Sequence, residues 1–170
     1  MERTVRLVAR PAESADCEAI AAIYNQGIDD RIATFETRHR TADEIEAWLG
    51  TSYPVVVVER EGEVIAFAST STYRPRECYA GIAEFSVYVA RETRGAGAGR
   101  LAMRALIDAA TEAGFWKLVS RIFPENTASL ALMESLGFRE VGTYQRHGKL
   151  DGEWRDVVIV ERLLGSFEND

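Results

Sequence analysis

The segment "RETRGAGAGR", residues Arg91 to Arg100, places three glycines at alternate positions among arginines. It follows a β-branched run that ends near Val89 and precedes an amphipathic stretch, so it joins a predicted strand to a predicted helix. The first amide groups of a helix have no partner within the helix, and the helix dipole adds partial positive charge there. Glycine lets a bound group approach the backbone, and Arg94 and Arg100 add charge-assisted hydrogen bonds. The segment therefore predicts an anion site, with phosphate as the expected occupant.

The glycine spacing differs from that of the familiar nucleotide-binding loops. A Walker loop ends in lysine followed by serine or threonine, whereas Arg100 and Leu101 follow the last glycine here. The dinucleotide fingerprint places its third glycine three positions beyond the second and follows an early strand. By itself the segment is equally typical of a flexible surface turn. The rest of the chain must decide which anion binds.

Composition indicates one soluble globular domain. The chain has 170 residues, 46% hydrophobic and 28% charged, which suffices for one well-filled core, so we predict a single domain over residues 1–170. A net charge of -7 argues against nucleic acid as the partner. No apolar run approaches membrane-spanning length, and the N-terminal "MERTVRLVARPAE" lacks the apolar stretch of a secretion signal. We expect a cytoplasmic protein without a membrane partner.

The chain offers few side chains for a metal or a disulfide. Cys17 and Cys78 lack metal-site spacing, and two unpaired thiols fit a reducing cytoplasm better than a disulfide does. His39 and His147 lie far apart in sequence, which argues against a histidine-based metal site. We therefore expect no metal.

Hydrophobic periodicity predicts one mixed α/β domain with the element order β-α-α-β-β-β-α-β-α-β-β. The predicted strands cover residues 4–10, 53–60, 63–73, 82–89, 116–123, 139–146 and 153–164. The predicted helical segments cover residues 13–27, 41–50, 99–114 and 126–138. Gly27, Gly50 and Gly114 are expected to end helices, while Thr41 and Asn126 are expected to cap them. Gly62 marks a hairpin turn, and "KLDG" at 149–152 marks the last turn.

Three segments together resemble the GCN5-related N-acetyltransferases: "RGAGAG" at 94–99, the strand "EFSVYV" at 84–89 and the helix "NTASLALMESLGF" at 126–138. The first matches that family's Arg/Gln-x-x-Gly-x-Gly/Ala loop, and the element order matches over nearly the whole chain. The resemblance implies the family's fold, with splayed central strands, and acetyl-CoA as cosubstrate. The loop amides would hold the coenzyme pyrophosphate, and the preceding strand would present main-chain groups to the pantetheine and thioester. The implied coenzyme contacts are Val87, Tyr88, Val89, Arg94, Gly95, Ala96, Gly97, Ala98, Gly99 and Asn126.

Glu84 is the candidate general base. Acetyl transfer needs a neutral amine, a base that takes its proton, and donors for the oxyanion. In strict alternation Glu84 shares a strand face with Ser86 and Tyr88, and a partly desolvated carboxylate there can accept a proton directly or through water. The main-chain N–H around Val87 is the candidate oxyanion donor. The alternative is an ordinary solvent-facing glutamate.

A closer resemblance narrows the acceptor. The segments 23–37, 73–89 and 152–158 are similar to phosphinothricin acetyltransferases, and more so to their arsinothricin-acetylating relatives. Those enzymes detoxify glutamate-like antibiotics by acetylating the amino group. The resemblance therefore implies α-amino acetylation of arsinothricin or phosphinothricin, a role in antibiotic resistance, and a homodimer.

Four residues are candidates for the substrate pocket. The implied substrate carries a carboxylate and an anionic phosphinate or arsinate. Arg74 and Arg76 alternate along the segment after the second hairpin strand, so we expect their guanidinium groups to converge on one anion. Tyr73 and Phe35 are expected to wall the pocket. The alternative is that both arginines are surface charges that keep an acidic protein soluble.

The chain departs from these relatives in two places. Many family members carry a tyrosine, and phosphinothricin enzymes often a histidine, where this chain has Met133. Methionine cannot donate a proton, so water, Tyr88 or Tyr144 would have to assist the leaving thiolate. The turn "HGKLDGEW" at 147–154 also differs from the usual "KxGxW" arrangement, which leaves the detailed substrate open.

Other functions stay open at this level. The acceptor could instead be methionine sulfone or sulfoximine, a polyamine, or a protein N-terminus. A non-catalytic coenzyme A-binding module is an alternative from another class, and Met133 favours it. An acetyl-cysteine route through Cys78 is disfavoured because no histidine is adjacent in sequence to activate the thiol.

Overall fold

Strands and helices follow one another in the predicted order in the computed structural model, which describes residues 5–169. The strands are β1 (Leu7–Pro11), β2 (Val55–Arg60), β3 (Glu63–Thr72), β4 (Ile82–Val89), β5 (Lys117–Ile122), β6 (Arg139–Leu150) and β7 (Glu153–Leu163). The α-helices are α1 (Cys17–Asp30), α2 (Ala42–Leu49), α3 (Ala98–Glu112) and α4 (Thr127–Ser135). Thr4, the first residue of the first predicted strand, lies outside the described residues, as do the two ends of the predicted domain.

One sheet contains all these strands, in the order β1-β2-β3-β4-β5-β7-β6. Neighbouring strands are antiparallel except for β4 and β5, which are parallel. That parallel pair joins only Ile82–Glu84 to Lys117–Val119, although β4 continues to Val89. Where the two strands part, the buried Ser120 hydroxyl donates a hydrogen bond to the Phe85 carbonyl at 2.8 Å. The predicted splay of the central strands is therefore confirmed.

Helices cover both faces of the sheet, so the central strands are buried on both sides. The core on the side of α3 and α4 includes Val56, Phe85, Met103, Leu106, Leu118 and Met133. The core on the side of α1 and α2 includes Ile20, Ile45, Val57, Phe67 and Tyr88. Strand alternation thus sends Phe85 to one core and Tyr88 to the other, as the sequence predicted.

Helix α1 runs past its predicted end. Gly27 was expected to stop it, but the helix continues to Asp30, and Arg31 takes the left-handed conformation (φ 58°) that ends it. Gly27 serves a close contact instead: a Cβ there would lie 2.5 Å from Cε1 of Tyr88. The glycine lets the tyrosine ring pack against the helix. A sequence pattern cannot distinguish a glycine with this role from one that ends a helix.

The C-terminal hairpin is longer than predicted. Strand β6 continues to Leu150, four residues beyond its expected end, and only Asp151 and Gly152 form the turn. The pairing of β6 with β7 shifts register between Tyr144 and Gly148, and Arg146 has a positive φ of 48°. Lys149 and Leu150, predicted to lie in the turn, instead pair with Trp154 and Glu153, so the predicted turn at 149–152 was too long.

Helix α2 begins as its sequence predicts. Thr41 accepts a hydrogen bond through its side chain from the N–H of Glu44 at 3.3 Å, and Gly50 lies at the C-cap. The Glu44 carboxylate does not complete a capping box; it binds Arg38 and Arg40, whose hydrogen bonds lower the pKa of Glu44 to about 2. The cap prediction is confirmed for Thr41.

Candidate active site

The glycine segment forms a loop whose shape requires glycine at two positions. A short 3-10 turn at Arg91–Thr93 follows β4, and α3 begins at Ala98. Gly95 and Gly97 both have a φ of +86°, a conformation that costs residues with a Cβ atom free energy. An ideal Cβ at either position would meet no atom within 4 Å. These glycines therefore serve the backbone path and leave open space in front of the first turn of α3.

A cavity of about 410 Å³ lies at this helix N-terminus. Glycines and arginines of the loop form one part of its wall, and apolar side chains from β4 and α4 form another. Its lining includes Val87, Tyr88, Val89, Arg94, Gly95, Gly97, Ala98, Gly99, Arg100, Asn126, Ser129 and Leu132. Nine of the ten predicted coenzyme contacts are among the lining residues; Ala96 is the exception. The cavity suits a long ligand with an anionic part and an apolar arm.

The sequence pattern missed the contribution of α1 to this cavity. Asp30, at the end of α1, lines it and binds both Arg91 and Arg94, each through an Nη2 atom at 2.7 Å. The hydrogen bond from Arg94 holds the pKa of Asp30 below its ordinary value. Gln26 adds a hydrogen bond from the N–H of Arg91 to its side-chain oxygen at 2.9 Å. These contacts pin the loop to α1, and no local sequence pattern links the two.

Asn126 caps α4, as predicted. Its Oδ1 atom accepts a hydrogen bond from the N–H of Ser129 at 3.3 Å, and both residues line the cavity. The cap role of Asn126 is therefore confirmed, and its role as a coenzyme contact stays a prediction.

A second cavity, of about 350 Å³, lies beside the point at which β4 and β5 begin to separate. Its lining includes Phe35, Glu36, Ser71, Glu84, Ser86, Tyr88, Ser120, Arg121 and Phe123. Between the two cavities, a pocket of about 40 Å³ occupies the wedge between β4 and β5, and Ser86, Val87 and Met133 are among its walls. Tyr88 and Ala33 line all three. The pocket in the wedge therefore lies next to both cavities, beside the main chain of β4.

Glu84 occupies the last position at which β4 pairs with β5, opposite Val119. Its side chain is 24% exposed, and its Oε1 atom accepts a hydrogen bond from Nε of Arg121 at 2.7 Å. The structure thus places the candidate base in the second cavity, bound to an arginine that no sequence pattern singled out. The available signal was weak, because β5 also contains Lys117 and Ser120 and a charged residue does not stand out in it.

The predicted substrate residues separate into two groups. Phe35 lies in the second cavity with Glu84, and its ring meets that of Phe123 edge-on at 4.9 Å between centroids. Tyr73, Arg74 and Arg76 are not among the lining residues of that cavity.

The segment that carries the two predicted anion-binding arginines is a loop, so strand alternation does not align them as expected. Arg74 and Arg76 are exposed, and the guanidinium of Arg74 lies over the ring of Tyr73, 5.2 Å from its centroid. Tyr73 in turn meets Tyr79 edge-on. Their role in binding substrate stays a prediction.

The candidate proton donors differ in position. Tyr88 is buried between Phe67 and Tyr24, at centroid distances of 5.4 Å and 5.0 Å, and burial raises its pKa above the ordinary value. Tyr144 is exposed on β6, where it stacks on His147. Met133 is buried and borders the wedge. Of the three side chains, Tyr88 alone combines a hydroxyl group with a place in all three cavities.

The cysteines lie apart from these cavities. Cys78 is exposed in the turn after Arg76, and Cys17 is buried in α1, where burial raises the pKa of its thiol to about 11. Within residues 5–169, no group of three or more histidine, cysteine, aspartate or glutamate side chains is placed to hold a metal ion. In the same part of the chain, no helix combines the length and apolar character needed to cross a membrane.

Comparison with known proteins agrees with this geometry. Residues 6–139 match the family model described as an acetyltransferase (GNAT) domain. The chain is 35% identical to an L-amino acid N-acyltransferase of Escherichia coli, over 91% of this chain and 92% of that protein. It is 34% identical to the L-methionine sulfoximine/L-methionine sulfone acetyltransferase of Pseudomonas aeruginosa, over 91% and 93%. A phosphinothricin acetyltransferase from Sinorhizobium meliloti, solved in complex with AcCoA, superposes with a TM-score of 0.87 at 32% identity, over 96% of this chain and 90% of that one. The chain therefore belongs to the GNAT family of acetyl-CoA-dependent N-acetyltransferases, as its sequence predicted.

Proposed function

We propose that the protein moves the acetyl group of acetyl-CoA to the α-amino group of a glutamate-like amino acid, with arsinothricin and phosphinothricin as the leading acceptors. One observation carries the proposal: the pocket in the wedge between β4 and β5 shares lining residues both with a cavity at a glycine-rich helix N-terminus and with a cavity that holds Glu84. Relatives named for phosphinothricin acetylation support the substrate class. The similarity of segments 23–37, 73–89 and 152–158 supports arsinothricin and a role in resistance.

The residues of the first cavity fit acetyl-CoA. The N-terminal amides of α3 and the side chains of Arg94 and Arg100 would hold its pyrophosphate, and the apolar wall from Val87 to Val89 and Leu132 would hold its arm. When bound, acetyl-CoA supplies the activated acetyl group as a thioester. The cavity's glycines leave room for that ligand, because a Cβ at Gly95 or Gly97 would point into open space.

The protein's own groups would accept the proton of the amine, stabilise the oxyanion and protonate the leaving thiolate. Glu84 takes the proton of the substrate ammonium, directly or through a water, so that a neutral amine is available. The main-chain N–H around Val87, which borders the wedge, is the proposed donor to the developing oxyanion. Met133 borders the same wedge and has no proton to give, so water or Tyr88 must protonate the leaving thiolate.

Methionine sulfoximine and methionine sulfone form the second candidate acceptor class. Relatives at 34% and 33% identity carry that activity in their names. These acceptors share the α-amino and α-carboxyl groups of phosphinothricin and differ in the charge at the end of the side chain. Binding of that terminal anion by Arg74 and Arg76 therefore separates the two classes. Their replacement by alanine should raise KM for phosphinothricin and leave KM for methionine sulfone nearly unchanged.

A substrate panel tests the proposed function. Purified protein with acetyl-CoA is offered arsinothricin, phosphinothricin, methionine sulfoximine and spermidine, and free thiol release is measured. We expect turnover with the amino acids and little with spermidine. Thermal stabilisation by acetyl-CoA without turnover on any amine would contradict the enzyme and favour a non-catalytic binding module. A homodimer and a cytoplasmic location stay predictions, the first open to sedimentation analysis and the second to cell fractionation.

A further inference from the structure

Arg121 and Glu84 form an ion pair across the point where β4 and β5 separate. Nε of Arg121 lies 2.7 Å from Oε1 of Glu84, and both side chains line the cavity of about 350 Å³. Arg121 is 55% exposed, so its guanidinium is accessible from that cavity. An exposed ion pair of this kind contributes little to stability. Its place beside the candidate base suggests a role in binding.

Arg121 is the cationic side chain of this cavity. Among the residues that the structure describes, the charged lining residues are Glu36, Glu84 and Arg121. The Glu36 carboxylate is bound by the guanidinium of Arg40, so its charge is already compensated. Arg121 is therefore the charged lining side chain with hydrogen-bond donors for an anionic group that enters the cavity.

The guanidinium has donors to spare for a second carboxylate. Arginine carries five N–H donors in a planar fork that suits bidentate binding of a carboxylate. Within residues 5–169, Arg121 makes its hydrogen bond to Glu84 through Nε. The four N–H groups on its two Nη atoms can therefore bind another carboxylate while the contact with Glu84 persists.

The ion pair is complementary in charge to an α-amino acid: Arg121 can bind its carboxylate, and Glu84 can bind its ammonium group. An α-amino acid carries its ammonium and carboxylate groups on one carbon atom, so the two charges are held a few bonds apart. If the carboxylate binds Arg121, the ammonium group is held beside Glu84, where opposite charges attract and the proton can be transferred. One contact thereby positions the amine for its base.

We propose that Arg121 binds the α-carboxylate of the substrate and so makes the enzyme selective for α-amino acids over simple amines. The proposal rests on the proposed function and deepens it. It assigns the α-carboxylate to Arg121, whereas Arg74 and Arg76 are predicted to bind the anion at the other end of the substrate. Arg121 is then a specificity-determining residue that touches the substrate.

The test pairs Arg121→Gln with two substrates, an accepted amino acid and its α-carboxamide, which keeps the shape and removes the negative charge. kcat/KM is measured from thiol release. We expect wild-type protein to prefer the acid by about 30-fold, the size expected for a hydrogen bond between charged groups. Arg121→Gln should lower kcat/KM for the acid by a similar factor, mainly through KM, and change the amide by less than about threefold.

Two variants serve as controls. Arg121→Lys keeps the charge without the fork, so we expect it to recover part of the preference for the acid. Arg104→Gln removes an exposed arginine of α3 and should change neither substrate. Equal losses of kcat/KM on both substrates would mean that Arg121 only positions Glu84, and would overturn the proposal. A wild-type enzyme without preference for the acid would overturn it as well. Failure of wild-type protein to acetylate any amino acid would overturn the proposed function itself, and this assignment with it.

Discussion

Glu84, the proposed general base, has a defined position in the fold. It holds the last paired position of β4, lines the second cavity and is bound to Arg121 through one carboxylate oxygen. Pairing with the neighbouring strand fixes its backbone and so directs its side chain into the second cavity. Catalysis by proton transfer depends on such fixed geometry, because the base must lie within hydrogen-bond reach of the proton that it takes.

Replacement of Glu84 by glutamine should abolish most of the activity. Glutamine keeps the size of the side chain and removes the proton acceptor, so we expect kcat to fall by roughly 100- to 10,000-fold. The melting temperature should change little, since the lost contact is an ion pair with an exposed arginine. Thiol release under saturating substrate measures the effect. Glu112→Gln, on the exposed side of α3, is the matched control, and an active Glu84→Gln variant would require a different base.

At the scale of elements, the loop between β4 and α3 depends on two left-handed glycines. Gly97→Ala should cost about 1 kcal/mol of stability, because its φ of +86° disfavours a Cβ atom. It should also weaken acetyl-CoA binding by tenfold or more, since the altered loop no longer presents its amides to the pyrophosphate. Isothermal titration calorimetry measures that affinity.

Gly62→Ala is a close control for the loop. Gly62 has a similar φ of +81° and no atom within 4 Å of an ideal Cβ, but it lies in the turn between β2 and β3. We expect a similar loss of stability with unchanged acetyl-CoA affinity. Equal affinities for the two variants and wild-type protein would show that the loop does not hold the ligand.

The contact between α1 and β4 also depends on one glycine. A Cβ at Gly27 would lie 2.5 Å from the ring of Tyr88, so Gly27→Ala must displace the ring or the helix. We expect a loss of about 1–3 kcal/mol in the free energy of unfolding, the range for overpacking in a core. Tyr88 lines all three cavities, so activity should fall as well.

Urea unfolding of Gly27→Ala and Gly50→Ala provides the comparison. Gly50 lies at the C-cap of α2 with a φ of -81° and open space around its Cβ position. Its replacement by alanine should leave stability and activity close to those of wild-type protein. A stable, fully active Gly27→Ala variant would mean that the helix and the ring separate without cost.

Local chemistry explains which elements the sequence predicted well. Thr41 and Asn126 cap helices through hydrogen bonds that span three residues, so the motif contains both partners. The predicted end of α1 was wrong because Gly27 makes room for the ring of Tyr88, which lies far away in sequence. Arg121 was missed for the same reason: its partner, Glu84, is on another strand. Contacts between distant segments carry no local pattern, so they need the structure.

At the scale of the whole molecule, arginine binds carboxylates in several separate regions. The pKa of Asp16 is held below its ordinary value by hydrogen bonds from Arg10, and that of Asp30 by Arg94. These pairs join β1 to the start of α1, and the glycine loop to its end. Although the chain carries a net charge of -7, Arg94 and Arg100 place positive side chains in the wall of the first cavity.

Asp16 should make stability depend on pH in the acidic range. It is buried and accepts two hydrogen bonds from Arg10, at 2.8 Å and 2.9 Å, and one from the N–H of Glu13 at 2.8 Å. Because the folded pKa of Asp16 is lower than the unfolded one, the unfolded chain binds the proton more tightly. The resulting stability is present above the ordinary aspartate pKa of about 3.9 and is lost as pH falls through the folded value.

Asp16→Asn should therefore lower the free energy of unfolding at pH 7 by roughly 2 kcal/mol, the size expected for hydrogen bonds to a charged group. The difference from wild-type protein should shrink as the pH falls from 5 toward 2, because wild-type protein loses the same contribution when Asp16 is protonated. Urea unfolding at pH 7, 5 and 3 measures both effects, and Asp108→Asn, exposed on α3, should match wild-type protein at each pH. A gap between Asp16→Asn and wild-type protein that stays constant with pH would assign the loss to altered packing, because a packing defect does not depend on the protonation of Asp16.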